Sequence, residues 1–210
     1  MIAKYHREMT EAALKDYVSR AALEVIISAN LGQDGLEGLI GHPEFHFDDS
    51  AFEAGNLYIA QQFNLVASSI TNSDKITAWQ AFGRITHAAQ DFYAHSNYVR
   101  LWTSSYPGIL ATEIDPLDSA ILNHSNLISG KIYSPWESLG YIPVVGRLLK
   151  YLIPRDSHTW MNLDSPRSGG LFEYARSAAE KRTGIEFRRI NELIGQNGDN
   201  NLFNQFTDLS

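Results

Sequence analysis

Three polar residues at a strict spacing of four constrain this chain more than any other feature. They are His87, Asp91 and His95, within the stretch ITHAAQDFYAHSNYV at residues 85–99. On an α-helix, side chains four residues apart form one stripe, and successive members lie roughly 6 Å apart along the axis. A carboxylate with an imidazole one turn above and one turn below suits two or three closely spaced divalent ions, and the central aspartate can bridge a pair of them. The pattern therefore predicts a helix that carries a metal-binding stripe.

Apolar residues around this stripe predict that the helix is buried. Further helices are predicted at 10–30 with Thr10 as N-cap, at 50–69 with Ser50 and Glu53 as a capping box, and at 170–194. The central helix is expected to run over 74–102, capped by Asn72 or Ser73, and DPLDSAILNHSNLIS to form a short helix closed by Gly130. No convincing period-two pattern of a strand appears. We expect one all-α domain over residues 1–210, a bundle of five or more helices, with an apolar insert at about 131–156 and a weakly ordered tail at about 196–210.

Composition narrows the chemistry of a metal site. The chain of 210 residues has no cysteine, so any metal must be held by histidine, aspartate or glutamate, which suits zinc in a hydrolytic site. A net charge of −7 without a basic stripe argues against a stable duplex nucleic acid partner. Neither a signal peptide nor an apolar run long enough to span a membrane is visible, so we expect a cytoplasmic chain or export by a signal-independent route. The oligomeric state stays open.

Further candidate ligands lie outside the central helix. The glycine-rich loop at 31–49 concentrates acidic residues and histidines, and a polar segment at 156–170 adds more; both are also explained as ordinary turns. For His6, a solvated side chain is the simpler interpretation. For His124, in the 115–129 segment, the simpler interpretation is a structural or exposed residue. These candidates are His6, Asp34, His42, His46, Asp48, Asp49, His124, His158, Asn162 and Asp164.

The segment KIYSPWESLGYIPVVGRLLKYLIPRD, residues 131–156, is strongly apolar. The favoured interpretation is a loop with a short helix packed on the core. The alternative is an apolar flap over residues 135–153 that shields the site or touches a membrane surface.

Taken together, these pieces resemble a known family. HAAQDFYAHSN is similar to the signature of the HET-C family, which is related to bacterial zinc-dependent phospholipases C and distantly to zinc-dependent single-strand nucleases. HREMTEAAL, SANLGQD, HFDD and SHTWMNLDSP extend the similarity over residues 6–166 in the same order. The resemblance implies an all-α bundle with a metal cleft that holds two or three zinc ions.

The resemblance also implies a ligand set. Asp34, His46, His87 and Asp91 match the ligands of one zinc ion, and Asp91 would bridge to a second ion bound by His6. His95 and His158 match two ligands of a third ion. The phospholipases use their N-terminal amino group as a further ligand, whereas this chain has Met1 five residues before His6. A glutamate of the third site is replaced here by Asn162, and Asp164 is the substitute ligand.

The implied function is phosphodiester hydrolysis by zinc-activated water. Asp34 and Asp91 are the catalytic candidates, and the favoured substrate is a phospholipid head group. One alternative is a non-catalytic recognition or toxin-like module with a structural metal. A second is a single-strand nuclease, in which Tyr93, Tyr98 and Trp102 would be the aromatic platforms for bases.

Overall fold

The computed structural model describes residues 1–35, 41–133, 153–195 and 200–209. In these ranges the chain is helical and has no β-strand, which confirms the predicted all-α class. Two isolated bridges, Ser96 with Ser129 and Lys131 with Ser157, are the extended pairings of this part of the chain. The α-helices, numbered in chain order, are α1 (Ala3–Leu14), α2 (Arg20–Gly32), α3 (Pro43–His46), α4 (Phe52–Thr71), α5 (Lys75–His95), α6 (Tyr98–Ser105), α7 (Ser119–Leu122), α8 (His158–Met161), α9 (Leu171–Gly195) and α10 (Asn200–Thr207).

Helix α5 is the centre of the bundle. Every residue from Ile85 to His95 is buried, and α2, α4 and α9 pack around the helix. A helix that is buried on all sides belongs to the core, so its polar residues need partners inside the protein. The side chain of Asp74 caps α5 by accepting a hydrogen bond from the Thr77 amide at 3.0 Å. The prediction of a buried central helix is confirmed.

The N-terminal helix differs from the prediction. The stretch predicted as one helix over 10–30 belongs to two, and α1 already begins at Ala3. Thr10 is therefore a buried interior residue of α1 and not an N-cap. Ser19 caps α2 instead, because its hydroxyl accepts from the Ala22 amide at 3.1 Å. The early start of α1 is what buries His6.

Three further predictions about helix ends and caps are wrong. Ser50 does not cap α4: it ends a 3₁₀ turn, Asp48–Ser50, and its hydroxyl accepts from the Ser129 amide at 3.1 Å. The central helix stops at His95 because Ser96 takes an extended conformation with φ −94° and ψ 167°. Its cap is Asp74 rather than Asn72 or Ser73.

The structure also differs from the predictions made for the 115–129 segment and for the C-terminal tail. The helix in the 115–129 segment is the single turn of α7, capped by Asp118, and it ends well before Gly130. The expected weakly ordered tail contains α10, whose Phe206 is fully buried. Trp79 donates a hydrogen bond to the Phe206 carbonyl at 2.7 Å, and this contact ties α10 to α5. The last predicted helix, 170–194, is confirmed by α9.

Most of the apolar insert, and with it the proposed flap at 135–153, lies outside the described residues. Among the helices of the described ranges, none combines the length and hydropathy that a membrane crossing requires.

Gly83 allows α5 to approach α2 closely. A Cβ atom at this position would lie 2.3 Å from the Ile26 carbonyl oxygen and 2.8 Å from the Ala29 Cβ. We expect Gly83→Ala to destabilise the protein by about 1–3 kcal/mol, because backbone atoms of α2 cannot rotate away as a side chain can. Gly32→Ala is the control, since a Cβ there meets no atom within 4 Å. Urea unfolding measures both; equal stability of the two variants would contradict this packing.

Candidate metal centre

The histidines and carboxylates of the predicted site converge on one end of the bundle. Helix α5 supplies the predicted stripe of three residues, and α1 brings His6 against it. Asp34 follows the end of α2, and His46 closes the single turn of α3. His158 begins α8 and Asp164 lies just after that helix.

The first group of ligand atoms surrounds one oxygen of Asp91. Oδ2 of Asp91 lies 2.9 Å from Nδ1 of His46 and 3.0 Å from Nε2 of His87. The two imidazole nitrogens are 3.0 Å apart, and Oδ1 of Asp34 is 3.7 Å from Nε2 of His87. Ligands bound at about 2.0–2.2 Å to one ion lie roughly 3.0–3.4 Å from one another. The spacing of this group therefore fits a single divalent ion.

The other oxygen of Asp91 faces a second group of nitrogens. Oδ1 lies 3.2 Å from Nε2 of His6 and 3.8 Å from Nε2 of His95. It also accepts a short hydrogen bond from the amino group of Met1, which lies 3.3 Å from Asp164. The two oxygens of one carboxylate thus address two separate donor sets, which is the arrangement of a bridging ligand.

Hydrogen bonds fix the tautomer of His6. Gln90 donates through Nε2 to the hydroxyls of Thr10 and Thr183, so its Oε1 is an acceptor. Nδ1 of His6 lies 2.6 Å from this oxygen and must donate to it. Neutral His6 therefore presents the lone pair of Nε2 towards Asp91, and this nitrogen is buried without a hydrogen-bond partner. A lone pair facing a carboxylate is stabilised when a cation lies between them, and metal-bound histidines are usually held in this way.

His95 follows the same logic. Its Nδ1 donates to the His46 carbonyl at 3.0 Å, which leaves Nε2 as the lone-pair nitrogen. Nε2 lies 3.3 Å from Oδ1 of Asp164, another buried atom without a hydrogen-bond partner. His6 and His95, on different helices, thus both turn Nε2 towards Asp91.

A residue left out of the predicted ligand set completes the outer part of the cluster. Asp48 is buried, and its Oδ1 lies 2.9 Å from Nδ1 of His158 and 3.4 Å from Nδ1 of His95. Gly130 lets the His95 and His158 segments approach, because a Cβ there would lie 2.6 Å from the Cα of His158. The rings of His95 and His158 are 4.4 Å apart between centroids. Asp48 therefore orients His158 or shares an ion with it, whereas Asp164 contacts His95.

Burial and charge set the protonation of the cluster. Burial of Asp91 opposes its charged form, but the Met1 ammonium and the surrounding histidines outweigh this and hold its pKa well below the ordinary value. The pKa of His87 is lowered to about 3, chiefly by burial. The pKa of His46 is raised, because attraction to Asp91 outweighs the effect of burial. Burial and the charge of Asp91 raise the pKa of Asp34.

The remaining candidates lie away from the cluster or in the core. His124 is exposed and accepts from the Asn126 amide, and His42 pairs with Glu44 at 2.9 Å. The three aromatic platforms considered for a nuclease are buried, so bases cannot stack on them; these are Tyr93, Tyr98 and Trp102. Asp48 was a candidate from the sequence but stood outside the ligand set that the resemblance implied, and the hydrogen bond of Gln90 to His6 was not predicted.

Comparison with known proteins gives the family. A model of the VWA7 N-terminal domain matches residues 6–121, more than half of the chain. The chain belongs to the VWA7 N-terminal domain family. Von Willebrand factor A domain-containing protein 7 is 35% identical in Homo sapiens and 34% identical in Mus musculus over 82 residues, 39% of this chain. That stretch spans only 9% of the length of those relatives. No solved structure matches the chain.

This finding corrects the family interpretation made from the sequence. The assignment to the HET-C family and the zinc-dependent phospholipases C is wrong, and membership of the VWA7 N-terminal domain family does not identify the chain as a hydrolase. The interpretation rested on the stretch HAAQDFYAHSN and on the order of the outer pieces. Side chains four residues apart share a face on any α-helix, so the spacing within this stretch does not by itself identify a family.

Gln90 should influence metal affinity without touching a metal. We expect Gln90→Met to weaken zinc binding by about 10–100-fold, because His6 loses the acceptor that fixes its tautomer. Gln80→Met, at an exposed position of the same helix, is the matched control. Competition titration with a zinc chelator dye measures both. Unchanged affinity in the Gln90 variant would contradict the proposed role.

Metal binding should release protons. The raised pKa of His46 means that this ring stays protonated to higher pH than an ordinary histidine and must lose its proton before it can bind a metal. Zinc affinity should therefore rise with pH until His46 is neutral. Calorimetric zinc titrations in buffers of different ionisation enthalpy measure the protons released. A binding enthalpy independent of the buffer would be inconsistent with this prediction.

Proposed function

We propose that this chain binds two or three zinc ions at the cluster and uses them to cleave a phosphoester with activated water. The observation that carries the proposal is the position of Asp91, whose two oxygens face two different sets of imidazole nitrogens. Bridging carboxylates of this kind are typical of two-metal sites, in which the ions lie about 3.5–4 Å apart.

The position of each residue suggests which ion it would hold. Asp34, His46, His87 and Asp91 would hold the first ion, and His6 with the other oxygen of Asp91 the second. His95, Asp164 and the His158–Asp48 pair would hold a third. Bound zinc would lower the pKa of a water molecule towards about 7 and polarise a phosphoryl oxygen.

Asp34 would act on the water. Its side chain is 31% exposed, whereas those of His87 and Asp91 are fully buried. A partly exposed carboxylate next to buried ligands can orient the attacking water and accept its proton. The phosphoester itself would enter from this accessible side. The proposed substrate class is a phosphodiester.

A structural metal centre is the second candidate. The burial of His6, His87 and Asp91 supports it, because ligands drawn from α1 and α5 into one buried group would hold the bundle together. In that case metal removal would lower the melting temperature, and the metal-loaded protein would hydrolyse no phosphoester.

Elemental analysis and an activity assay test the first candidate together. Protein purified without chelator should carry about two or three zinc ions per chain and hydrolyse bis(4-nitrophenyl) phosphate. Asp91→Asn should reduce the zinc content to below one and the rate by at least about 100-fold, because both ions lose their shared ligand. Asp16→Asn, an exposed position between α1 and α2, is the charge-matched control. One zinc ion or none in the unaltered protein would overturn the multi-zinc site.

A further inference from the structure

A cavity of about 380 Å³ is lined by residues that are close in sequence to the candidate metal ligands. Three of its lining residues precede predicted ligands by one to three positions in the chain. Gln33 precedes Asp34, Phe45 precedes His46, and Arg84 lies three residues before His87 on α5. Three separate elements thus each contribute a lining residue of the cavity and, one to three positions further along the chain, a residue of the first ligand group.

Arg84 is the cation of this cavity. Its guanidinium makes one long hydrogen bond, 3.3 Å from Nη1 to Oε1 of Gln62. Within the described ranges, no carboxylate oxygen lies within 4.0 Å of it, although the chain as a whole is acidic with a net charge of −7. A second cavity of about 370 Å³ on the α2 side is also lined by Arg84. A partly buried guanidinium without a carboxylate partner keeps most of its five donors available.

Tyr58 adds a second donor. Its hydroxyl accepts from Nε2 of Gln33 at 2.7 Å, so its own proton is available to another acceptor. The side chain is 8% exposed, and burial raises the pKa of its hydroxyl to about 12, so it stays protonated at neutral pH. Glu44, an acidic residue adjacent to the lining residue Phe45, is hydrogen-bonded by His42. The lining thus combines a cation and a fixed hydroxyl donor.

We infer that this cavity binds an oxyanion through Arg84 and Tyr58, namely a second negatively charged group of the substrate. Identification of the ligand as substrate rests on the proposed phosphoester chemistry; oxyanion binding itself does not. A guanidinium matches the geometry of phosphate and carboxylate oxygens. The preferred substrate would then be a phosphoester that carries a further phosphate or carboxylate group close to the bond that is cleaved.

Calorimetric titration with inorganic phosphate tests oxyanion binding in protein treated with chelator and checked for helicity by circular dichroism. The unaltered protein should bind phosphate, and Arg84→Gln should weaken binding by about tenfold or more. Arg84→Lys should fall between them, because lysine keeps the charge but not the planar donors. Tyr58→Phe should lose about threefold or more, and the exposed control Arg100→Gln less than twofold. Absence of phosphate binding, or equal affinity in the Arg84→Gln and Arg100→Gln variants, would overturn the site.

If chelation unfolds the protein, the same titrations are made on metal-loaded protein. The unaltered protein and Arg100→Gln should then show a phosphate site whose affinity is at least about tenfold weaker in Arg84→Gln, and equal phosphate affinities in all three proteins would overturn the site.

Kinetics separate the two proposals. The 4-nitrophenyl ester of thymidine 5′-phosphate is compared with the same ester carrying a 3′-phosphate. Arg84→Gln should raise KM at least about tenfold for the second ester and less than twofold for the first. An equal effect on both esters would exclude the cavity as the site of the second anion. If the unaltered protein cleaves neither ester, the phosphoester function fails, and phosphate binding alone decides the oxyanion site.

Discussion

The structure depends on a carboxylate that has been removed from water. Asp91 is fully buried at the centre of a helix that is itself buried, and an isolated charge there would be very costly. The amino group of Met1 and the protonated form of His46, whose pKa is raised, stabilise this charge. Nitrogens of His6 and His87 also lie within 3.2 Å of it. Contacts from α1, α3 and α5 therefore meet at one residue. The charge that would recruit cations is the same one that fixes these elements relative to each other.

Gln90 organises the layer behind Asp91. The side chain amide of Gln90, on α5, connects this helix to three others. It contacts His6 and Thr10 on α1, Asn30 on α2 and Thr183 on α9. Since all four partners are buried, the amide has one orientation that satisfies them, and that orientation sets which nitrogen of His6 faces the site. The site is thus positioned by polar contacts within the core as well as by apolar packing.

The parts of this arrangement that were predictable from the sequence are those set by local geometry. The helical spacing placed the α5 residues on one buried stripe, and absence of strand patterns gave the fold class. Predicted helix boundaries were wrong where contacts with distant residues determine them. The hydroxyl of Ser50, for example, accepts a hydrogen bond from the Ser129 amide and does not cap a helix. The pairing of Asp48 with His158 was not predicted, because the two residues are 110 positions apart in the chain. The family was misjudged because a ligand spacing set by helical geometry does not by itself identify a family.

The most direct test of the bridging role of Asp91 is anomalous diffraction at the zinc absorption edge, from crystals grown with zinc. The account predicts two peaks about 3.5–4 Å apart, one at each oxygen of Asp91, with His46 and His87 around one and His6 near the other. A single peak, or peaks that leave one oxygen of Asp91 without a metal, would contradict it.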